Sequence, residues 1–169
     1  GKGHYEDGIH QTPRNRGFDR FYGILDGATH YFSPHCVFDD DSRIEIDMDG
    51  YYFTDAVTDK AVGMIEESTA ANKPFFLYLA HIAPHWPLHA PADDIAKYDG
   101  VYAKGWDEIR TARHEELIHK NILSSKWDIS LRDQTVPEWS AIENKFWEAS
   151  KMAAYAGMVD HLDQSIGRL

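Results

Sequence analysis

Apolar and polar positions change period several times along this chain, and each change predicts an element. From Phe75 to Ala80 the residues are almost continuously apolar: Phe-Phe-Leu-Tyr-Leu-Ala. A short aromatic run of this kind suits a strand buried on both faces, as in a parallel sheet. Pro84, Pro87 and Pro91 then remove backbone donors and fix φ, so the strand gives way to a stiff loop. That loop carries His81, His85 and His89, with Trp86 among them. In open α/β sheets ligands bind just beyond the carboxyl ends of strands, which makes these imidazoles the first candidates for chemistry. A histidine on a proline-rich loop can equally be a surface residue that packs a turn.

Before this run, residues 1–36 show little periodicity and read as loops, with a short strand near Arg20 to Leu25 and Gly17, Gly23 and Gly27 as punctuation. Arg43 to Met48 alternates like a half-exposed strand. Asp49-Gly50 suits a hairpin turn, with Tyr51-Tyr52-Phe53 returning. Thr54 looks like an N-cap. Val57, Ala61, Met64 or Ile65, and Ser68 follow at helical spacing, and Asn72-Lys73-Pro74 ends that helix. Strand, helix, strand is βαβ-like grammar, so the expected class is α/β.

After the loop, residues 92–130 are polar, with short helices expected around Asp107 to His119 and around Ser124. From Ala141 a long helix is expected, with Tyr155, Val159, Leu162, Ile166 and Leu169 as its apolar stripe. Residues 1–169 read as one domain, with 92–140 as an insertion or lid region.

Composition narrows the function classes. Of the 169 residues, 43 % are hydrophobic, so the chain is globular. A formal charge of −11 argues against nucleic acid and anionic membrane surfaces, although a locally basic site could still take an anion. No run approaches the ~20 apolar residues of a membrane span. The chain opens Gly1-Lys2-Gly3-His4 without Met and closes within an amphipathic pattern, so it is expected to be a piece of a longer protein.

The remaining clusters are weaker taken singly. Lys2 and His4 lie two apart beside glycines, and a flexible terminus explains them as well. Asp39-Asp40-Asp41 could serve a hard cation, but three acids before a strand are more often a solvated turn. Cys36, the single cysteine, has no partner for a disulfide and no flanking base pattern. Asp160, His161 and Asp163 read as a solvated helix face.

Taken together and in order, six segments carry a family resemblance. They are Gly1-Lys2-Gly3-His4, Arg16-Gly17-Phe18-Asp19-Arg20-Phe21-Tyr22-Gly23, Tyr52-Phe53-Thr54-Asp55-Ala56, Lys73-Pro74-Phe75-Phe76-Leu77-Tyr78-Leu79, Ala83-Pro84-His85-Trp86-Pro87-Leu88 and Tyr155-Ala156-Gly157-Met158-Val159-Asp160. The chain resembles the central part of a type I sulfatase, an arylsulfatase of the alkaline-phosphatase superfamily.

That resemblance implies part of an alkaline-phosphatase-like α/β/α sandwich, here an incomplete sheet flanked by helices. It implies a parent that hydrolyses sulfate esters with calcium and a formylglycine nucleophile. Lys2 would bind sulfate oxygens, His4 would assist collapse of the sulfated intermediate, and His85 would protonate the leaving alcohol. The substrate would be a sulfated small molecule or glycan, and the parent periplasmic or secreted.

Departures from the pattern limit the carry-over. Gly3 stands where the family usually has Trp. Cys36 lacks the Pro and Arg that mark a formylglycine site. Asp39 to Asp41 lack the Asp-Asp-x-Gly form, so no metal ligand is assigned in this chain. Without nucleophile or metal ligands the fragment alone is expected to be inactive, and with strand edges and an apolar patch left open it could self-associate. The rival readings are a phosphodiesterase or phosphonate hydrolase of the same superfamily, or a non-catalytic structural or binding piece.

Overall fold

The computed structural model describes residues 12–27 and 29–169. The chain divides into two compact units, one of residues up to His89 together with Met158–Leu169, the other Ala90–Gly157.

In the first unit, β1 (Tyr22–Ile24), β2 (Val37–Asp39) and β3 (Ser42–Ile44) form an antiparallel sheet in that order. The short strand expected near residues 20–25 is β1. The register pairs Tyr22 with Asp39 and Val37 with Ile44. Asp40 and Asp41 make the two-residue turn between β2 and β3, with Asp40 at φ 55°, a left-handed conformation that Asp tolerates. Burial acts to raise the Asp40 pKa. The Phe21 amide and the Arg20 and Arg14 guanidiniums outweigh it and hold the carboxyl below its ordinary value. The acidic triplet is thus a turn neutralised by cations.

The hairpin expected at Asp49-Gly50 is not formed. Gly50 does turn the chain, at φ 65°, but Phe53 begins a helix instead of a returning strand. This helix, α1 (Phe53–Ala70), is capped at Tyr52, ahead of the expected Thr54. Thr54 lies inside the first turn and is 2 % exposed. Phe53, Thr54, Val57, Thr58 and Ala61 form the buried face at helical spacing. The helix stops as expected, with Asn72 at φ 49° just beyond it.

Val37, Phe53 and Val57 are the centre of the core, and Tyr22, Ile24, Ile44, Leu79 and Ile82 pack against them. Leu79 and Ile82 bring the Phe75–Ala80 run to this core, but not as a strand: residues 73–82 have no strand or helix assignment. Leu77, Leu79 and His81 are half-buried, whereas Phe76 and Tyr78 are 80 % and 72 % exposed. The expected burial on both faces is therefore met on one face only. On the other face the Phe18 ring meets Phe76 at 6.2 Å but leaves it exposed, and the antiparallel sheet β1-β2-β3 does not include this run.

The second unit contains α2 (Ala92–Ala96), α3 (Trp106–His119) and the start of α4 (Lys145–Gly167). The helix expected around Ser124 is a turn, closed by the Trp127 amide on the Ser124 carbonyl at 3.0 Å. Asp107 joins three parts of this unit. It accepts from Arg132 at 2.8 Å and from the Trp139 amide at 2.9 Å, at the head of α3. Most of the expected stripe faces outward: Tyr155, Val159 and Ile166 of α4, and Leu169 just beyond it, are 43–54 % exposed, and only Leu162 is half-buried. The buried positions are small ones, Ala153, Ala156 and Gly157, with Met158 and Ser165. Gly157 explains part of this, since a Cβ there would meet the Ile95 amide nitrogen of α2 at 3.0 Å. Close helix contact selects small residues and turns the large ones outward. No described helix is long and apolar enough to cross a membrane.

Candidate functional site

The proline-rich loop is the place where the fold prepares a side chain for chemistry. His85 is exposed, yet it is held at three points. Its amide donates to the Ile82 carbonyl at 2.9 Å. Its own carbonyl accepts the Tyr31 hydroxyl at 2.9 Å. Its Nδ1 lies 2.7 Å from the Trp86 carbonyl. A carbonyl only accepts, so Nδ1 carries the proton and Nε2 is left to exchange one with a ligand. Beside it Trp86 is 63 % exposed and presents an aromatic face.

Tyr31 and Tyr52 support this loop from beneath. Tyr31 is fully buried and Tyr52 is 4 % exposed, and their rings stack at 5.9 Å. The Tyr52 hydroxyl donates to the His89 carbonyl at 2.9 Å. Burial, with Tyr52 adding to it, pushes the Tyr31 phenol up to about 12, so it stays a donor at any working pH. Tyr52 also meets the edge of His161 at 4.8 Å. His161 in turn bonds Asp55 at 3.0 Å, and Asp55 accepts from Arg168 at 2.9 Å. His161 is therefore part of a support network, with a side chain only 15 % exposed, and not a residue of the solvated face expected for it.

The other loop histidines have different roles. The His89 ring lies 4.1 Å from that of His30, and its Nδ1 is buried without a hydrogen-bond partner. Burial, and then His30, lower its pKa. Both ring nitrogens of His81 are buried without partners, and burial lowers its pKa as well. These two rings are half-buried, and of the three loop histidines only His85 is exposed.

Lys2 and His4 lie outside the described residues. Cys36 is free and at φ 57°, immediately before β2. Among the described residues no group of three His, Cys, Asp or Glu could hold a metal ion. Asp39 is taken by Lys60 at 2.5 Å, and Asp40 and Asp41 by Arg14 at 3.4 and 2.9 Å. The described carboxylates thus do not fit calcium, and Cys36 does not fit a formylglycine precursor. A cavity of about 660 Å³ in the second unit, lined by Ile95, Tyr98, Tyr102 and Phe146 among others, contains none of the candidate histidines.

Sequence reasoning missed Tyr31, which sits in an aperiodic stretch with no spacing signal. Tyr52 and Asp55 were within reach, since both belong to the segment Tyr52-Phe53-Thr54-Asp55 that carried the resemblance.

Comparison with known proteins agrees with that resemblance. A family model described as Sulfatase matches residues 2–169. The chain is 28 % identical to an arylsulfatase of Klebsiella aerogenes, over 94 % of this chain and 36 % of that protein. It is 27 % identical to an uncharacterized sulfatase of Schizosaccharomyces pombe, over 93 % of this chain and 31 % of that one. Among solved structures it is similar to the crystal structure of Ps i-CgsB, with TM-score 0.59 and 23 % identity, over 95 % of this chain and 29 % of the other. The same protein in complex with k-i-k-neocarrahexaose gives TM-score 0.58. The chain spans about a third of the length of these relatives.

Proposed function

The chain belongs to the sulfatase family, whose model matches residues 2–169, and we propose that the full-length protein hydrolyses sulfate esters with His85 as the proton donor to the leaving alcohol. The fold is α/β and part of an alkaline-phosphatase-like sandwich. The observation that carries the proposal is the presentation of His85: exposed, fixed at three points, with Nδ1 engaged and Nε2 available.

Cleavage of the S–O bond leaves negative charge on the bridging oxygen. With Nδ1 keeping its proton on the Trp86 carbonyl, His85 donates as the imidazolium: the Nε2 proton passes to that oxygen, a poor alkoxide leaving group departs as an alcohol, and a neutral imidazole remains. Lys2 is proposed to bind the sulfate oxygens, and His4 would exchange a proton with the nucleophile that a formylglycine would supply. Both roles rest on the Gly1-Lys2-Gly3-His4 segment. Calcium and formylglycine find no holders among the described residues, so no step here runs through them. The 169 residues alone are proposed to be inactive for that reason. The proposed substrate is a sulfated small molecule or glycan. The open face of Trp86 supports it, as a surface on which a sugar or aryl ring can stack. The oligosaccharide complex of Ps i-CgsB is in keeping with it.

The test compares His85→Ala with the unaltered full-length protein on two sets of sulfate esters. Turnover of esters with poor leaving groups is expected to fall by at least about 10²-fold, and that of activated aryl sulfates by much less. An equal loss on both would show that His85 binds sulfate and donates no proton. Phosphodiesters assayed alongside should be turned over more slowly than sulfate esters.

A further inference from the structure

We infer that Tyr31 and Tyr52 are positioning residues for His85, tying the loop 85–89 by its backbone carbonyls at both ends. The inference rests on the reading of His85 as proton donor. Tyr31 holds the carbonyl of His85 itself at 2.9 Å, and Tyr52 holds that of His89 at 2.9 Å. The first bond sets the plane of the peptide linking His85 to Trp86. The next carbonyl along, that of Trp86, is the one that orients the imidazole through Nδ1 at 2.7 Å. An error in the first plane is passed to the second and then to Nε2.

The two phenols are themselves well fixed. Tyr52 is enclosed by Tyr31 at 5.9 Å, Phe32 at 5.1 Å and the edge of His161 at 4.8 Å. His161 is bonded to Asp55, which also receives Arg168, so a line of contacts joins the loop to α1 and to the end of α4. Neither tyrosine is presented to substrate. Their hydroxyls point to backbone, which is the arrangement of a support and not of an acid or base. The prolines stiffen the loop internally but do not fasten it to the fold, and without these two bonds it could shift as a body by the ångström or so that proton transfer does not tolerate.

The experiment uses the full-length protein and a series of aryl sulfates of graded leaving-group pKa. The readout is the slope of log kcat/KM against that pKa. Tyr31→Phe keeps the ring and removes only the hydroxyl. It is expected to lower turnover of the poorest leaving groups by roughly five- to tenfold, the weight of about one hydrogen bond. The best leaving group should stay within about twofold of the parent, so the slope steepens. His85→Ala should steepen it further, and Tyr31→Phe added to His85→Ala should change nothing more, because both act through one imidazole. A uniform loss across the series, or additive effects in the double variant, would overturn the inference. If His85→Ala leaves the slope unchanged, the proton-donor reading fails and the positioning role goes with it. If His85→Ala steepens the slope while Tyr31→Phe does not, only the positioning role fails. Should Tyr31→Phe yield no folded protein, Tyr52→Phe in the same cycle decides, with the same expected slope.

Discussion

His81 and His89 are the imidazoles whose protonation this fold resists. Both have pKa values lowered from 6.5, His81 by burial and His89 by burial and then His30. A depressed folded pKa means that the unfolded chain binds more protons below 6.5, so the stability these residues allow is present above that pH and is lost as pH falls through the lowered values. The denaturant midpoint of the protein is expected to decline from about pH 6.5 downward. His81→Phe keeps an aromatic ring and removes two buried nitrogens without partners, so it should flatten that decline. An acid limb identical in the variant would show that His81 is not its source. At this scale the prolines and the motif around them made His85 legible. Spacing and proline content alone did not tell it from His81 and His89; the resemblance of Ala83-Pro84-His85-Trp86-Pro87-Leu88 singled it out, and the partial burial that sets the other two apart is not a sequence property.

Among the elements, the head of α3 is the most constrained junction. Gly105 is at φ 84°, and a Cβ there would fall 2.1 Å from the Trp139 indole. Trp139 is 9 % exposed, its ring packs edge-on to Trp106 at 4.8 Å, and its amide is bonded to Asp107 at 2.9 Å, so neither ring nor backbone has room to give way. Gly105→Ala therefore combines backbone strain with overpacking, each of which typically costs about 1–3 kcal/mol. The expected result is a loss of at least about 2 kcal/mol in chemical unfolding. A variant within experimental error of the parent would mean that Trp139 relaxes freely. Helical periodicity located α1 and α4, because i, i+4 spacing is local, and α3 falls where a helix was expected within the polar stretch around Asp107 to His119. Periodicity misjudged which side of α4 is buried, since the choice between Ala156 and Tyr155 was made by the close approach of α2 to Gly157.

For the whole molecule, the notable feature is the apolar area left uncovered. Phe75, Phe76 and Tyr78 are 54–80 % exposed, and Tyr155, Val159 and Ile166 of α4 are 43–54 % exposed. Side chains of this size, uncovered in such number, favour association. The 169-residue chain by itself is expected to self-associate in sedimentation experiments and to bind a hydrophobic dye. Replacing Phe76 and Tyr78 by Ser should reduce both signals. A monodisperse monomer without dye binding would contradict this.

The sequence by itself determined the α/β class, the helices α1, α3 and α4, the break at the prolines and the family to which the chain belongs. These follow from periodicity, from proline's missing amide and from the order of short motifs, all of which are local. Only the tertiary structure decided that Arg14 and Arg20 close on Asp40 in its turn, that Phe75–Ala80 is buried on one face, and that Tyr31 reaches His85 across 54 positions. Such contacts depend on which surfaces meet after collapse. A tyrosine in an aperiodic stretch carries no mark of the carbonyl it will hold.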